Sequence, residues 1–332
     1  MSIALDAPTL PDVSPPGYEW LADEPTFDPE RHLALTEPDE VILLADLGYE
    51  RAEIATKATP VAISAPFRIL SDDGAEAMLT AARRLRAFAR PASTRIERMV
   101  RGGVYRSRWL RDLCRSPEVT AHLSAIYGVA IAPHPMPVHL GHLNYEPSEL
   151  DSAVDKWHHD TLPLDYVMSV TDMRTTPGGR FEYFWGTRQE AAELQAQGRT
   201  PPPDRVRAPA FPGPGAAVAM HGDMVVHRGA ALTAPAERIT MVNGYVTVDP
   251  PTDEQSRTVD LIDVDDPAVL YTEWARMAAW RSGQRLQRLI EELPFTADPA
   301  EVAAELRAAV ADAERAAAEM QGGARPTIHY ED

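Results

Sequence analysis

Cysteine is almost absent. Cys114 stands alone in 332 residues, which excludes an internal disulfide and fits a reducing compartment; in its apolar helix it reads as a small core side chain. Lysine is nearly missing as well, with only Lys57 and Lys156, so almost every basic residue is arginine. Acidic residues outnumber basic ones 50 to 32, a formal net charge of −18, and general binding to nucleic acid or to an anionic membrane is not expected. The acidity serves solubility or favours a cationic substrate. No apolar run approaches membrane-spanning length, and no charged start followed by an apolar stretch opens the chain, so a cytoplasmic location is expected.

What is present is enough chain to bury a full core, as one large domain with elaborations or two modest ones. Residues 1–36 are rich in proline and acid and read as an irregular arm, packed across the body or closing over a site. Periodicity does not decide whether residues 41–47 form a strand or a helix. Residues 61–70 read as a strand. Ser71 then offers an N-cap for a helix to about Phe88, with Met78, Leu79, Ala82 and Leu85 on one face. Further helices are expected at 109–113 and 117–126, with Pro117 in the first turn and Gly128 as the stop.

From residue 138 to 248 short apolar or alternating runs are separated by Pro, Gly, Asp and Asn: 138–143, 166–171, 181–185, 216–220, 224–227 and 239–248. Strands at this spacing make a sandwich or a barrel. The polar, proline-rich stretch 187–210, with a helical piece at 189–197, reads as an insert outside the core, near the cavity mouth. Residues 267–293 and 299–320 carry apolar residues at three- and four-residue spacing and read as helices that brace the barrel or form a homodimer interface. The expected division is an irregular N-terminal arm (1–60), a β domain with leading helices (61–250) and a C-terminal helical extension (251–332).

His158-His159-Asp160, then His227, then Arg238 carry the chemistry. Two histidines and one aspartate are the ligand set of a facial iron(II) site that leaves positions open for reaction. On an extended segment His158 and Asp160 point to one side, so both reach one metal while His159 faces away. His227 supplies the third ligand from a distant apolar strand. Eleven residues later, Arg238 with Thr240 on the same strand face can clamp a carboxylate. His221-Gly222-Asp223 repeats the His-x-Asp pattern, but it reads as the turn before His227, since with His227 taken as the partner of the first pattern the only histidine left after it is His329. His139 and His142 read as structural. Phe181, Tyr183 and Trp185 alternate along one face and line either core or cavity. Arg101, Arg106 and Arg108 read as surface charge, with anion binding as the alternative.

The pattern His158-x-Asp160, His227, Arg238-x-Thr240 resembles that of the Fe(II)- and 2-oxoglutarate-dependent oxygenases, in the phytanoyl-CoA dioxygenase-like branch. The resemblance spans roughly residues 62–250 and takes in 66–71, 113–128, Asn144-Tyr145, 177–182 and Gly222-Asp223. With the metal pattern on the strands, the expected fold is α+β: a double-stranded β-helix (jelly roll, cupin-like) core with flanking N- and C-terminal helices. The resemblance implies Fe(II), 2-oxoglutarate and O2 as cofactors, His158, Asp160 and His227 as metal and catalytic residues, and Arg238, Thr240 and Asn144 at the cosubstrate. It implies hydroxylation of an unactivated carbon of a small-molecule substrate, an amino acid or natural-product intermediate, or a related outcome such as desaturation or ring formation. A halogenase would leave the place of Asp160 small for chloride. The competing classes are a zinc-type hydrolase or isomerase on the same barrel, and a non-catalytic metal- or ligand-binding barrel.

Overall fold

The computed structural model describes residues 13–92, 95–150, 152–248, 258–262 and 264–322. Residues 1–12 of the expected arm, the junction expected near residue 250 and the tail with His329 lie outside the described residues. Two antiparallel sheets form the centre. In the large sheet the strands lie in the order Val41–Leu43, Val61–Ser64, Ala216–Met220, Leu164–Ser169, Ile239–Thr247, His142–Tyr145, Ile96–Val100 and Arg90–Ala92, with Phe67–Arg68 beside Ala216–Met220 and Ile131–Pro133 beside Ile239–Thr247. The small sheet runs Val206–Arg207, Phe181–Phe184, His227–Gly229, Asp155–His158. From residue 142 onward the chain alternates between them: large, small, large, small twice, large, small, large.

The strand Leu164–Ser169 is buried along its whole length, which period two explains. Val167 joins Phe181, Tyr183, Val218 and Met220 in a cluster fed by both sheets. Leu164, Tyr166 and Met168 face the opposite way, onto the helices Asp72–Leu85, Arg108–Cys114 and Pro117–Tyr127. A strand covered on both faces reads as a continuous apolar run. The helices begin where the sequence supplies caps: the hydroxyls of Ser71, Ser107 and Ser116 accept from the N–H groups of Gly74, Leu110 and Val119, and Gly128 ends the last of them in the left-handed region at φ +67°.

Two expectations change and two open ones are decided. The strand expected over 61–70 is two strands, Val61–Ser64 and Phe67–Arg68, interrupted at Pro66, which has no N–H for a ladder. Residues 41–47 are both elements, the strand Val41–Leu43 and then a 3-10 turn Leu44–Leu47. The insert is not wholly outside the core: besides the helix Arg188–Ala196, its residues Val206 and Arg207 pair with Phe184 and Tyr183 as the edge of the small sheet. Within the arm, Leu21, Phe27, Leu33 and Leu35 pack against the main core, and the Glu24 carboxylate accepts from Ser107 Oγ and Arg108 N. The arm therefore lies across the body.

Candidate active site

Asp155–His158 and His227–Gly229 run antiparallel, and their register sets His158 across from His227. Their ring centroids are 4.1 Å apart, the closeness expected of opposed cross-strand side chains. Strand alternation does not place Asp160, because the strand ends at His158. The Asp160 N–H donates instead to Gly222 O at 2.9 Å, in the turn before His227, and this contact holds the carboxylate at the imidazoles. Its oxygens lie 3.4 Å from His158 Nε2 and 3.6 Å from His227 Nε2. Gly222 has no room for a side chain, since a Cβ there would stand 2.5 Å from an Asp165 carboxylate oxygen.

His158 Nδ1 is 2.7 Å from the Lys156 carbonyl and His227 Nδ1 is 3.0 Å from the Val225 carbonyl. A carbonyl only accepts, so each Nδ1 carries a proton and donates it, and each Nε2 is turned toward Asp160. Burial pushes the His227 imidazole down to about 3, with His158 adding to the effect. Burial works to raise the Asp160 carboxyl, but the facing imidazoles hold it well below the usual carboxylate range. Among the described residues His158, Asp160 and His227 are the one group of three possible metal donors with ligand atoms within 4.8 Å of one another. Two imidazoles that turn Nε2 toward one carboxylate fit a divalent metal ion, which takes the Nε2 lone pairs in place of protons. His159 lines the same cavity outside this group.

The cavity, about 180 Å³, extends from the three ligands to Arg238. Two cross-strand rows of the large sheet floor it: Met99, Asn144 and Thr240 in one, and His142, Val242 and Val167 in the other. Arg238 is 2 % exposed. Its Nε donates to Gly179 O at 3.0 Å and an Nη to Thr240 Oγ1 at 2.9 Å, and among the described residues no carboxylate lies within ion-pair distance of its guanidinium. Burial lowers Arg238 to about 10, while the charges of Asp155 and Glu146 act in the opposite direction. Gly179 sits at φ +62°, and a Cβ on it would meet Leu232 at 2.9 Å and Arg238 Cγ at 3.3 Å; glycine at that turn makes the passage of the arginine possible. Asn144 Oδ1 is buried without a hydrogen-bond partner.

Several lining residues escape the sequence reading. Arg101 is not surface charge: it lines the cavity and holds Asp265 through Nε at 2.7 Å and an Nη at 2.8 Å. Arg106 and Arg108 stay outside, stacked over Tyr18 and Trp20. His139 and His142 line the cavity, and burial pushes His142 down to about 3, with Arg101 and Arg95 adding to it. Arg95 binds Asp155 at 3.1 Å. Leu261 and Val264 bring the C-terminal extension into the wall, anchored by Glu273, which accepts from Tyr105 Oη and Val138 N. Of the aromatic row only Phe181 reaches the cavity, its ring 5.6 Å from that of His227; Tyr183 packs between the sheets and Trp185 lies under Arg207. The period-two spacing from Met99 to Arg101 and from His142 to Asn144 carried this signal, but only the register between strands turns it into a cavity floor.

No family model matches this chain, and no curated protein matches it. Among solved structures it is similar to the non-haem alpha-ketoglutarate-dependent carbocyclase SnoK from nogalamycin biosynthesis, at 19% identity over 64% of this chain and 88% of that one, TM-score 0.42. It is similar to AviO1 from Streptomyces viridochromogenes Tue57, at 19% identity over 61% and 96% of the two chains, TM-score 0.42. It is also similar to HygX from Streptomyces hygroscopicus with nickel and 2-oxoglutarate bound, at 12% identity over 60% and 87%, TM-score 0.40.

Proposed function

We propose that this chain is an Fe(II)- and 2-oxoglutarate-dependent oxygenase of the phytanoyl-CoA dioxygenase-like kind, which hydroxylates an unactivated C–H of a small metabolite. The observation that carries the reading is the pairing of the His158, Asp160 and His227 donor group with a buried Arg238 that has no carboxylate partner among the described residues, in one cavity. The strand orders support a double-stranded β-helix beneath it: eight strands, alternating between a sheet of four central strands and a facing sheet of four, are the arrangement of a jelly roll. A zinc hydrolase would need the three ligands but would leave the guanidinium without work.

His158, Asp160 and His227 would hold the metal through Nε2, a carboxylate oxygen and Nε2. Bound iron with 2-oxoglutarate and O2 supplies the oxidising chemistry, with succinate and CO2 released. The protein's residues bind, orient and exclude. The Lys156 and Val225 carbonyls fix both imidazole tautomers before any metal arrives. Arg238 and Thr240 receive the distal carboxylate of the cosubstrate, and the desolvation already imposed on Arg238 makes that charge-assisted contact strong. Asn144, directly across the ladder from Thr240, offers an amide to the same guest. Asp160 fills the position a halide would take, which supports hydroxylation over halogenation. Phe181, Leu261 and Val264 bound the substrate space and keep bulk water out. Ferrous iron and 2-oxoglutarate place such an enzyme in the cytoplasm; no helix among the described residues is long and apolar enough to cross a membrane.

Calorimetric titration tests the pairing. Binding of 2-oxoglutarate to the wild type should require a divalent metal and weaken in Arg238→Ala, whereas metal-independent binding, or unchanged binding in the variant, would refute the assignment.

A further inference from the structure

Four arginines line the cavity, and three of them are already matched by carboxylates. Arg95 holds Asp155 at 3.1 Å, Arg101 holds Asp265 through two nitrogens at 2.7 and 2.8 Å, and Arg228 holds Glu182 at 2.8 Å. The fourth, Arg238, has no carboxylate among the described residues, and the oxygenase reading gives it to the cosubstrate. Of the two lining carboxylates, Asp155 answers Arg95 and Asp160 stands with the two metal-donor imidazoles. An ionised group entering the remaining space would shed its water without meeting an uncommitted charge of opposite sign, which is costly.

Two neutral rings in the same wall still have open polar atoms. His139, 2 % exposed, ends the turn Pro137–His139, and its Nδ1 lies 3.4 Å from an Arg101 Nη. A guanidinium only donates, so Nδ1 accepts and the ring proton sits on Nε2. That Nε2 is buried without a hydrogen-bond partner, and so is Nε2 of His142, which stands across the ladder from Val242 in the cavity floor. A buried donor left unmatched is destabilising and calls for an acceptor. An alcohol oxygen accepts as well as donates, so it satisfies the Nε2–H of His139 and suits either tautomer of His142. Met99, Leu261 and Val264 add apolar surface to the same cavity.

We propose that this part of the cavity selects an uncharged, hydroxyl-bearing organic substrate. His139 donates to a substrate hydroxyl oxygen, His142 is the second polar contact, and Met99, Leu261 and Val264 cover the carbon skeleton. Arg101, committed to Asp265, sets the tautomer of His139 and does not bind an anion. What happens to the bound alcohol rests on the oxygenase reading; how it is held does not.

Three probes that share one ring test the proposal: cyclohexanol, cyclohexanecarboxylate and cyclohexylammonium. Each is titrated against the full chain loaded with zinc and 2-oxoglutarate, followed by ligand-observed NMR. Cyclohexanol should bind at least about tenfold more tightly than either charged probe, a preference that needs no variant. His139→Phe, which keeps a flat ring and removes the donor, should weaken the alcohol about tenfold, and His139→Gln, which restores a donor, should recover most of the loss. Circular dichroism and 2-oxoglutarate binding of each variant check its folding. A charged probe that binds as tightly as the alcohol, an alcohol that does not bind, or one that binds folded His139→Phe as it binds the wild type would overturn the proposal. The alcohol is titrated against the metal-free chain as well, so a chain that fails to take 2-oxoglutarate refutes the oxygenase reading while the alcohol still tests this one.

Discussion

His158-x-Asp160 and His221-x-Asp223 are the same tripeptide pattern in two settings. In the second, Asp223 is fully buried and already has its cation: Lys57 Nζ lies 2.9 Å from one carboxylate oxygen, and an Arg188 Nη 3.7 Å from the same oxygen. His221 Nε2 is turned onto the other oxygen at 3.1 Å, and its Nδ1 is 3.1 Å from the Val61 carbonyl. In the first, the Asp160 oxygens face two imidazoles at 3.4 and 3.6 Å, one of them delivered across the ladder by His227. A carboxylate paired with a protein cation is a structural unit; a carboxylate between two imidazole Nε2 atoms, opening on a cavity, can take a metal ion. The difference lies in what the fold brings from far away, Lys57 to one aspartate and His227 to the other.

Substitutions should separate the two. Asp160→Ala is expected to reduce 2-oxoglutarate turnover to background while the unfolding midpoint stays near that of the wild type; undiminished succinate release would remove the metal assignment. At the other site Asp223→Ala breaks the buried Lys57–Asp223 ion pair and should cost about 3–5 kcal/mol of stability, read by urea denaturation, with metal binding kept in the folded fraction. A near-neutral result there would mean that the Lys57–Asp223 pair is dispensable.

Smaller effects sharpen the picture of the cavity between them. Arg238→Ala should raise the 2-oxoglutarate requirement on the order of 10–100-fold, as loss of a charge-assisted contact implies, while the requirement for the organic substrate changes little. An equal rise in both would make Arg238 a general structural residue. The pH dependence of the metal-free protein should be the mildest. Burial lowers His139, and lowers His142 to about 3, so between the usual histidine value near 6.5 and about 3 the unfolded chain binds more protons than the folded one. Stability contributed by keeping these imidazoles neutral is therefore full above that window and declines as pH falls through it. Denaturation midpoints at pH 7 and pH 5 should show the drop, reduced in His142→Gln, and equal midpoints would contradict it.

Local signals in the chain were easy to read. Ser71 caps a helix and Gly128 stops one, as expected, because capping involves residues three or four apart. The apolar spacing of 216–220 and 239–248 marks strands that the sheet contains almost unchanged, as Ala216–Met220 and Ile239–Thr247. The donors and Arg238 were legible because their residue types and order are themselves chemical. Non-local consequences were hidden. Val206 and Arg207 are too few to announce a strand, and pairing with Phe184 and Tyr183 creates it. Arg101 and His142 are ordinary residues until the register of three strands turns them to one cavity, and Leu261 and Val264 reach that wall just ahead of the helix Pro267–Glu292, which Glu273 anchors to Tyr105 and Val138. Asp160 does lie with His158 and His227, but the Gly222 turn and not strand alternation sets its place.

The most direct measurement of the metal assignment is an anaerobic titration of the apo-protein with Fe(II) and then 2-oxoglutarate, followed by visible absorption. A metal-to-ligand charge-transfer band that requires both additions, and is lost in His227→Ala, is the predicted result. No band with both present, together with tight binding of zinc at the same three residues, would contradict it and identify a hydrolytic or isomerising metal centre instead.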